Sequence, residues 1–354
     1  MTKQPSKVTL TLAAQRRFHA IDIAARFAAA GDLLRQHQRA LFCSFHTTAG
    51  YLDQSLSARL DNRHDLVSQF FRAFHALFPK GAAYRHDQMH LRSELSEEQK
   101  VLEPRNGDSH LTFIGSGMKN CVTYRAHPST PVYFIDLDGE NEGCCRERKT
   151  TILGYDHERV VKQVTVSVPV SRHPIDSINL ADPRLGLLEE INDLILRSGI
   201  ENGRVDMCVQ PAERSVGLTV NEYETMLIQN DLVEVLRNPL RFARIRGRHM
   251  LEDPRAIPGK TLSYAKYDAV VILNSLMEAL RLDQSSFERL VAKLMSLPAR
   301  RFLKSRRVSF LAACDTNRDI AQLQRGTYQS PILVQWQPAN NQTRHVDIQL
   351  TELH

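Results

Sequence analysis

An α+β fold built twice in tandem is what this sequence predicts, and three observations carry that expectation. The chain has 354 residues, more than one ordinary domain needs to bury a core. Short apolar strands alternate with amphipathic helices in both halves, with periods near 2 and 3.6. After a break at Ser171-Arg172-His173-Pro174 the same order of elements begins again, as an internal repeat would make it.

Composition narrows the class further. Hydrophobic residues make up 42% and charged residues 24%, the balance of a globular chain rather than a disordered one. No apolar run approaches the roughly 20 residues that span a bilayer, and Met1 to Lys7 is polar, which predicts a cytoplasmic protein with no membrane partner. The 6 cysteines form no CxxC pair and read as buried thiols. The formal charge of +6 is concentrated in two clusters, Arg237 to Arg248 and Arg300 to Arg307. Such clusters suit anions, and without a nucleic-acid motif or interleaved aromatics they favour a small phosphate-bearing molecule or a solvated face over nucleic acid.

The elements follow in order. Val8 to Leu12 and His19 to Ile23 read as strands, and Ile23 to Arg39 has helical periodicity. The apolar strand Ala40 to Phe45 runs straight into His46-Thr47-Thr48-Ala49-Gly50. A helix follows over Asp65 to Leu77, then Tyr84-Arg85-His86-Asp87 and Asn106-Gly107-Asp108-Ser109-His110-Leu111. Val132 to Leu137, the turn at Asp138-Gly139, and strands over Arg146 to Leu153 and Val164 to Val170 close a first copy spanning 1–172. The second copy, 173–354, opens with a strand at Ser177 to Leu180, a helix over Leu185 to Arg197 and a strand over Val205 to Val209. Pro211 to Gly217 then stands where the first copy has its His-Thr-Thr-Ala-Gly. A helix over Glu224 to Leu236, a helical insertion at about 264–297, and strands over Val308 to Ala312, Ile332 to Trp336 and Thr343 to Leu350 complete it.

At His46-Thr47-Thr48-Ala49, Tyr84-x-His86 and Asn106-x-x-Ser109-His110-Leu111 the first half resembles the YjbQ family, associated with a secondary thiamine-phosphate-synthase activity. In the second half Leu218-Thr219-Val220-Asn221-Glu222 is similar to the family's L-T-I-N-E, and Gly326-Thr327-Tyr328-Gln329 to its G-T-W-Q. The motifs divide between the copies. The first keeps His46, His86 and His110 but has Asp53-Gln54-Ser55 in place of I-N-E, whereas the second keeps Asn221-Glu222 but has Glu213 in place of the first histidine. Complementary loss predicts one composite site shared by the copies, and the resemblance implies a homo-oligomer.

The chemistry expected there rests on His46, His86, His110 and Glu222 as catalytic residues. Thr47, Thr48, Asn106, Asn221, Thr327, Tyr328, Gln329, Arg146 and Arg148 are the expected substrate-binding residues. Three imidazoles suit a divalent metal, zinc or magnesium, held by His46, His86 and His110, and suit equally a phosphate or a proton relay. His90, four residues after His86, is a further candidate ligand if that stretch is helical. Glu222 is placed to act as a general base or to orient a histidine, or as a plain helix-start carboxylate. The resemblance implies an enzyme acting on a small phosphorylated substrate, with transfer and release of pyrophosphate. A metal-dependent hydrolase and a non-catalytic anion-binding scaffold are the alternatives.

Overall fold

The computed structural model describes residues 4–127, 129–141, 144–237, 302–303, 305–314 and 320–354. The expected helical insertion at about 264–297, with the arginine cluster around Arg244, lies outside the described residues. What is described is a mixture of helices and antiparallel sheets. Among the described residues no helix is long and apolar enough to cross a membrane.

In the first half the strands are β1 (Ser6–Ala13), β2 (His19–Asp22), β3 (Arg39–Ser44), β4 (Ala49–Gly50), β5 (Cys121–Arg125), β6 (Tyr133–Asp136), the short ribbon of β7 (Glu140–Asn141) with β8 (Cys144–Cys145), and β9 (Glu147–Tyr155). In the second they are β10 (Glu158–Pro169), β11 (Asp176–Asn179), β12 (Asn202–Val209), β13 (Val216–Asn221), β14 (Arg307–Cys314), β15 (Ala321–Gln324), β16 (Ser330–Gln335) and β17 (Thr343–Leu353). The first half pairs as β1-β9-β3-β5 and β2-β6-β4. The second pairs as β10-β17-β12-β14-β15 and β11-β16-β13. Strands that correspond in chain order thus occupy corresponding places, with β15 added at one edge. β10 precedes the expected boundary at 172/173, yet it bonds along its length to β17. The seam in the pairing falls at Asp156-His157, whose N–H groups both donate to the carbonyl of His354. The polar break at Ser171 to Pro174 follows directly on the end of β10.

Compactness divides the chain in another way, into a unit of 1–56, 118–222 and 305–354 and a unit of 57–117 and 223–304. All the sheets named above belong to the first unit. Helices Ala28–Gln36 and Leu187–Ser198 each lie between the second and third strands of their half. Leu33, Leu34, Phe42, Tyr51, Phe134 and Ile152 form one buried cluster, and Ile191, Ile195, Val205, Leu218, Leu333 and Ile348 form another. Between them, Leu41, Cys43, Leu153, Leu311 and Leu353 make a third. That explains why β3 reads as an unbroken apolar run: Phe42 faces one core and Leu41 the other, so neither face is left for water. Cys43 and Cys121 stand opposite each other in the β3–β5 pairing, both buried, with sulfurs 3.1 Å apart.

The second unit is helical as far as it is described. Helix His64–Leu77 presents Val67, Phe70, Phe71 and Phe74 at the spacing of one helix face, and it packs beside Gly107–Ser116. That second helix is buried on almost all sides and ends on Gly117 at φ +77°, a left-handed cap suited to glycine. The expected helix over Glu224 to Leu236 is found as a π-helical stretch, Met226–Asp231, continued by an α-helical one, Leu232–Arg237.

Candidate functional site

In the first unit, the strand β3 ends at Ser44 and delivers His46 beside the start of β9. The His46 Nε2 accepts a hydrogen bond from the backbone N–H of Lys149 at 2.7 Å, so the ring proton resides on Nδ1. Burial, followed by the cations of Arg148, Arg146 and Lys149, pushes the imidazole down to about 3, and it is neutral at physiological pH. No acceptor among the described residues faces its Nδ1–H.

Arg148, whose charge acts on this ring, has its side chain only 4% exposed. Its Nε and Nη2 donate to the two oxygens of Asp136, at 2.8 and 3.0 Å, in the fork geometry that suits guanidinium and carboxylate. Nη2 also donates to the carbonyl of Asp138 at 2.8 Å and to Thr48 Oγ1 at 3.3 Å. Nη1 has no acceptor among the described residues. The half-buried Arg146 pairs with Asp138. Arg148 and Arg146 therefore pair with Asp136 and Asp138, and their charges and that of Lys149 act on a neutral His46.

The second half supports this loop from behind. The Gln329 amide nitrogen donates to the carbonyls of Ser44 and His46 at 2.9 and 3.0 Å, and Asn221 Nδ2 donates to the carbonyl of Thr47 at 3.3 Å. Both side chains are buried. From the first half, Asn120 donates to the same His46 carbonyl. The Gly326 backbone lies so close to the loop that a Cβ there would fall 1.9 Å from the Phe45 carbonyl oxygen. Gly326→Ala is accordingly expected to push the His46 loop out of place and to destabilise the first unit by about 1–3 kcal/mol, the usual cost of overpacking. Denaturant unfolding followed by the fluorescence of Trp336, the 1 tryptophan of the chain, measures it.

The neighbouring expected residues lie at varied depths. Thr327 is exposed and Tyr328 is 69% exposed, so Gln329 is the member of its motif that reaches the loop. Glu222 is half-buried, its N–H donating to Asn221 Oδ1 at 2.9 Å. Glu213 is half-buried and pairs with Arg344 at 2.8 Å.

His86, His110 and Asn106 belong to the second unit. The His86 and His110 rings meet edge to face with centroids 5.0 Å apart. His86 is fully buried, its Nδ1 3.0 Å from Glu224 Oε2 and its Nε2 3.2 Å from Asn106 Oδ1. Burial raises the Glu224 carboxyl, but the His86 bond and the N–H groups of Met226 and Leu227 lower it by more, leaving it below its ordinary range. Asp231, also buried, accepts the N–H groups of Arg85 and His86 at 3.1 and 3.0 Å. The Asp87 carboxyl is pushed up to about 6 by burial. His90 is exposed in a short 3-10 turn, Met89–Leu91, and not at helical spacing from His86.

Sequence reasoning missed Glu224, Asp231 and Asp136, for which no motif spoke. The one signal was a carboxylate two residues after Asn221-Glu222, at the entrance of a helix. Among the described residues no group of three or more His, Cys, Asp or Glu side chains is arranged to hold a metal ion. Ligation by His46 Nε2 or by His86 would first have to break the hydrogen bonds just described.

No protein-family model matches the chain, and no curated protein matches it. Among the solved structures that match are YjbQ-type proteins and a hypothetical protein. A YbjQ-like protein of unknown function from Sulfolobus solfataricus is 15% identical, with a TM-score of 0.30 over 55% of this chain and 99% of that one. A hypothetical protein from Aeropyrum pernix is 13% identical, with a TM-score of 0.27 over 53% and 96%. An uncharacterised conserved YjbQ-family protein from Clostridium acetobutylicum is 12% identical, with a TM-score of 0.26 over 53% and 98%. Each spans about half of this chain.

Proposed function

We propose that the His46 cluster binds a small phosphorylated or otherwise anionic molecule, as a YjbQ-like enzyme would. The observation that carries this is a pair of donors without acceptors among the described residues: Nη1 of the nearly buried Arg148 guanidinium and Nδ1–H of the neutral His46 imidazole. Desolvated cations and fixed N–H groups of this kind stabilise a departing phosphate or pyrophosphate, because they need no reorganisation when charge develops on it. A neutral imidazole contributes by donating a hydrogen bond rather than by titrating.

We read the chain as a tandem duplication whose second copy supports the site of the first. Supporting this are the matched strand pairings and the convergence of Asn221, Gly326 and Gln329 on the His46 loop.

Inorganic sulfate, a phosphate-shaped dianion that stays ionised, tests the anion reading by calorimetric titration. Binding is expected to be flat between pH 5 and 8, because His46 does not change charge there. Arg148→Lys is expected to weaken it about tenfold or more, since a lysine keeps the charge but loses the second arm of the fork. Affinity that climbs as pH falls through 6.5, or that ignores Arg148→Lys, refutes the reading. The fold favours the neutral imidazole, so His46 also adds stability that is complete above pH 6.5 and is lost as pH falls toward 3.

A further inference from the structure

The second half contains the same arrangement of hydrogen bonds as the His46 cluster, atom for atom in several places. The N–H of His345 donates to Glu213 Oε1 at 2.9 Å, as that of Lys149 donates to His46. Arg344, the residue before His345 and 5% exposed, donates its Nη2 to the carbonyl of Gln337 at 2.7 Å and its Nε to Gln335 at 3.2 Å. Arg148 does this with Asp138 and Asp136. Arg306, just before β14, donates to the carbonyl of Glu213, as Asn120, just before β5, donates to that of His46. The N–H of Trp336 donates to the carbonyl of Ser215 as that of Leu137 donates to Thr48.

The two clusters differ in what meets the free arm of the arginine. Arg148 Nη1 faces no acceptor among the described residues, whereas Arg344 Nη1 donates to Glu213 Oε2 at 2.8 Å and to the carbonyl of Arg214 at 3.0 Å. The other oxygen of Glu213 lies 3.0 Å from His345 Nδ1. One carboxylate thus occupies the guanidinium arm, the backbone N–H and a neighbouring imidazole together.

We propose that Glu213, Arg344 and His345 form a second anion site for a phosphate-type oxyanion, closed in this chain by its own Glu213 carboxylate. This rests on the reading of the His46 cluster as an anion site. The chain therefore takes one anion rather than two, and removal of Glu213 opens the second position.

Calorimetric titration of the full chain with inorganic sulfate at pH 7 tests it. The unaltered protein is expected to bind one sulfate per chain, and Glu213→Ala two. The added site should vanish again in Glu213→Ala/Arg344→Met. Because Glu213→Ala leaves a buried guanidinium without its partner, Glu213→His is the second variant. It restores the side chain that the first half carries against the equivalent N–H, and it too should bind two. A folded Glu213→Ala or Glu213→His that binds no more sulfate than the unaltered chain overturns the proposal. So does failure of both variants to fold in the presence of sulfate. If the unaltered chain binds none while the variants bind one, the closed site stands and the His46 reading falls. If all bind one, the reverse holds.

Discussion

Arg148→Met is expected to lower the stability of the first unit by about 3–5 kcal/mol, the range for stranding one partner of a buried ion pair. Asp136 is fully buried, and Arg148 supplies the two hydrogen bonds that its carboxylate oxygens accept from a cation. Arg148 also ties the Asp138 carbonyl and Thr48 into the same network, so three segments lose a common anchor. The measurement is a urea titration followed by Trp336 fluorescence. Adding Asp136→Leu to Arg148→Met should recover more than half of the loss, because the stranded charge goes with it. If the two substitutions are simply additive, the pair is not what holds the loop. A midpoint unchanged by Arg148→Met alone would say the same.

In the second unit Glu224→Ala carries a similar expected cost, about 3–5 kcal/mol, for a different reason. The carboxylate accepts from His86 and from the N–H groups of Met226 and Leu227, so one truncation leaves a buried imidazole and the first turn of a π-helical stretch without their acceptor. Trp336 belongs to the other unit and is not the reporter here. Hydrogen exchange is, and the amides of Met226 and Leu227 should lose protection together. The acid dependence follows from the lowered carboxyl: its contribution is present above the ordinary glutamate value of 4.5 and is lost as pH falls below it. Glu224→Gln should therefore flatten the acid limb of the exchange profile. Independent loss at the two amides would show that Glu224 is not their common tie.

The sheets were legible in the sequence because they follow from side-chain periodicity alone. Ala40 to Phe45 and Ile332 to Trp336 read as strands, and the structure has β3 and β16 there. His46, Asn221 and Gln329 were legible through motifs, and Asn221 and Gln329 do meet the His46 loop. What stayed hidden was partnership. Nothing in the order of residues says that Arg148 binds Asp136, or that Glu213 replaces a histidine while also neutralising Arg344. Glu224 was passed over for Glu222 because the acceptor role depends on which way a helix entrance turns, not on spacing along the chain. The pairing of β10 with β17 stayed hidden too, because the alternation of Val164, Val166 and Val168 marks a face that meets a core but not the strand that β10 bonds to.

The second unit is assembled from 57–117 and 223–304, so its two parts leave the ribosome about a hundred residues apart. At synthesis rates of about 5–20 residues per second, the earlier part waits roughly 5–20 seconds for the later one. During that interval His86 lacks Glu224 and Asp231, and the buried Phe78 lacks the ring of Phe302 against which it packs. The nascent chain thus exposes an aromatic surface at a defined moment of translation. Chaperone occupancy on translating ribosomes should rise once residue 117 has emerged and fall after residue 304.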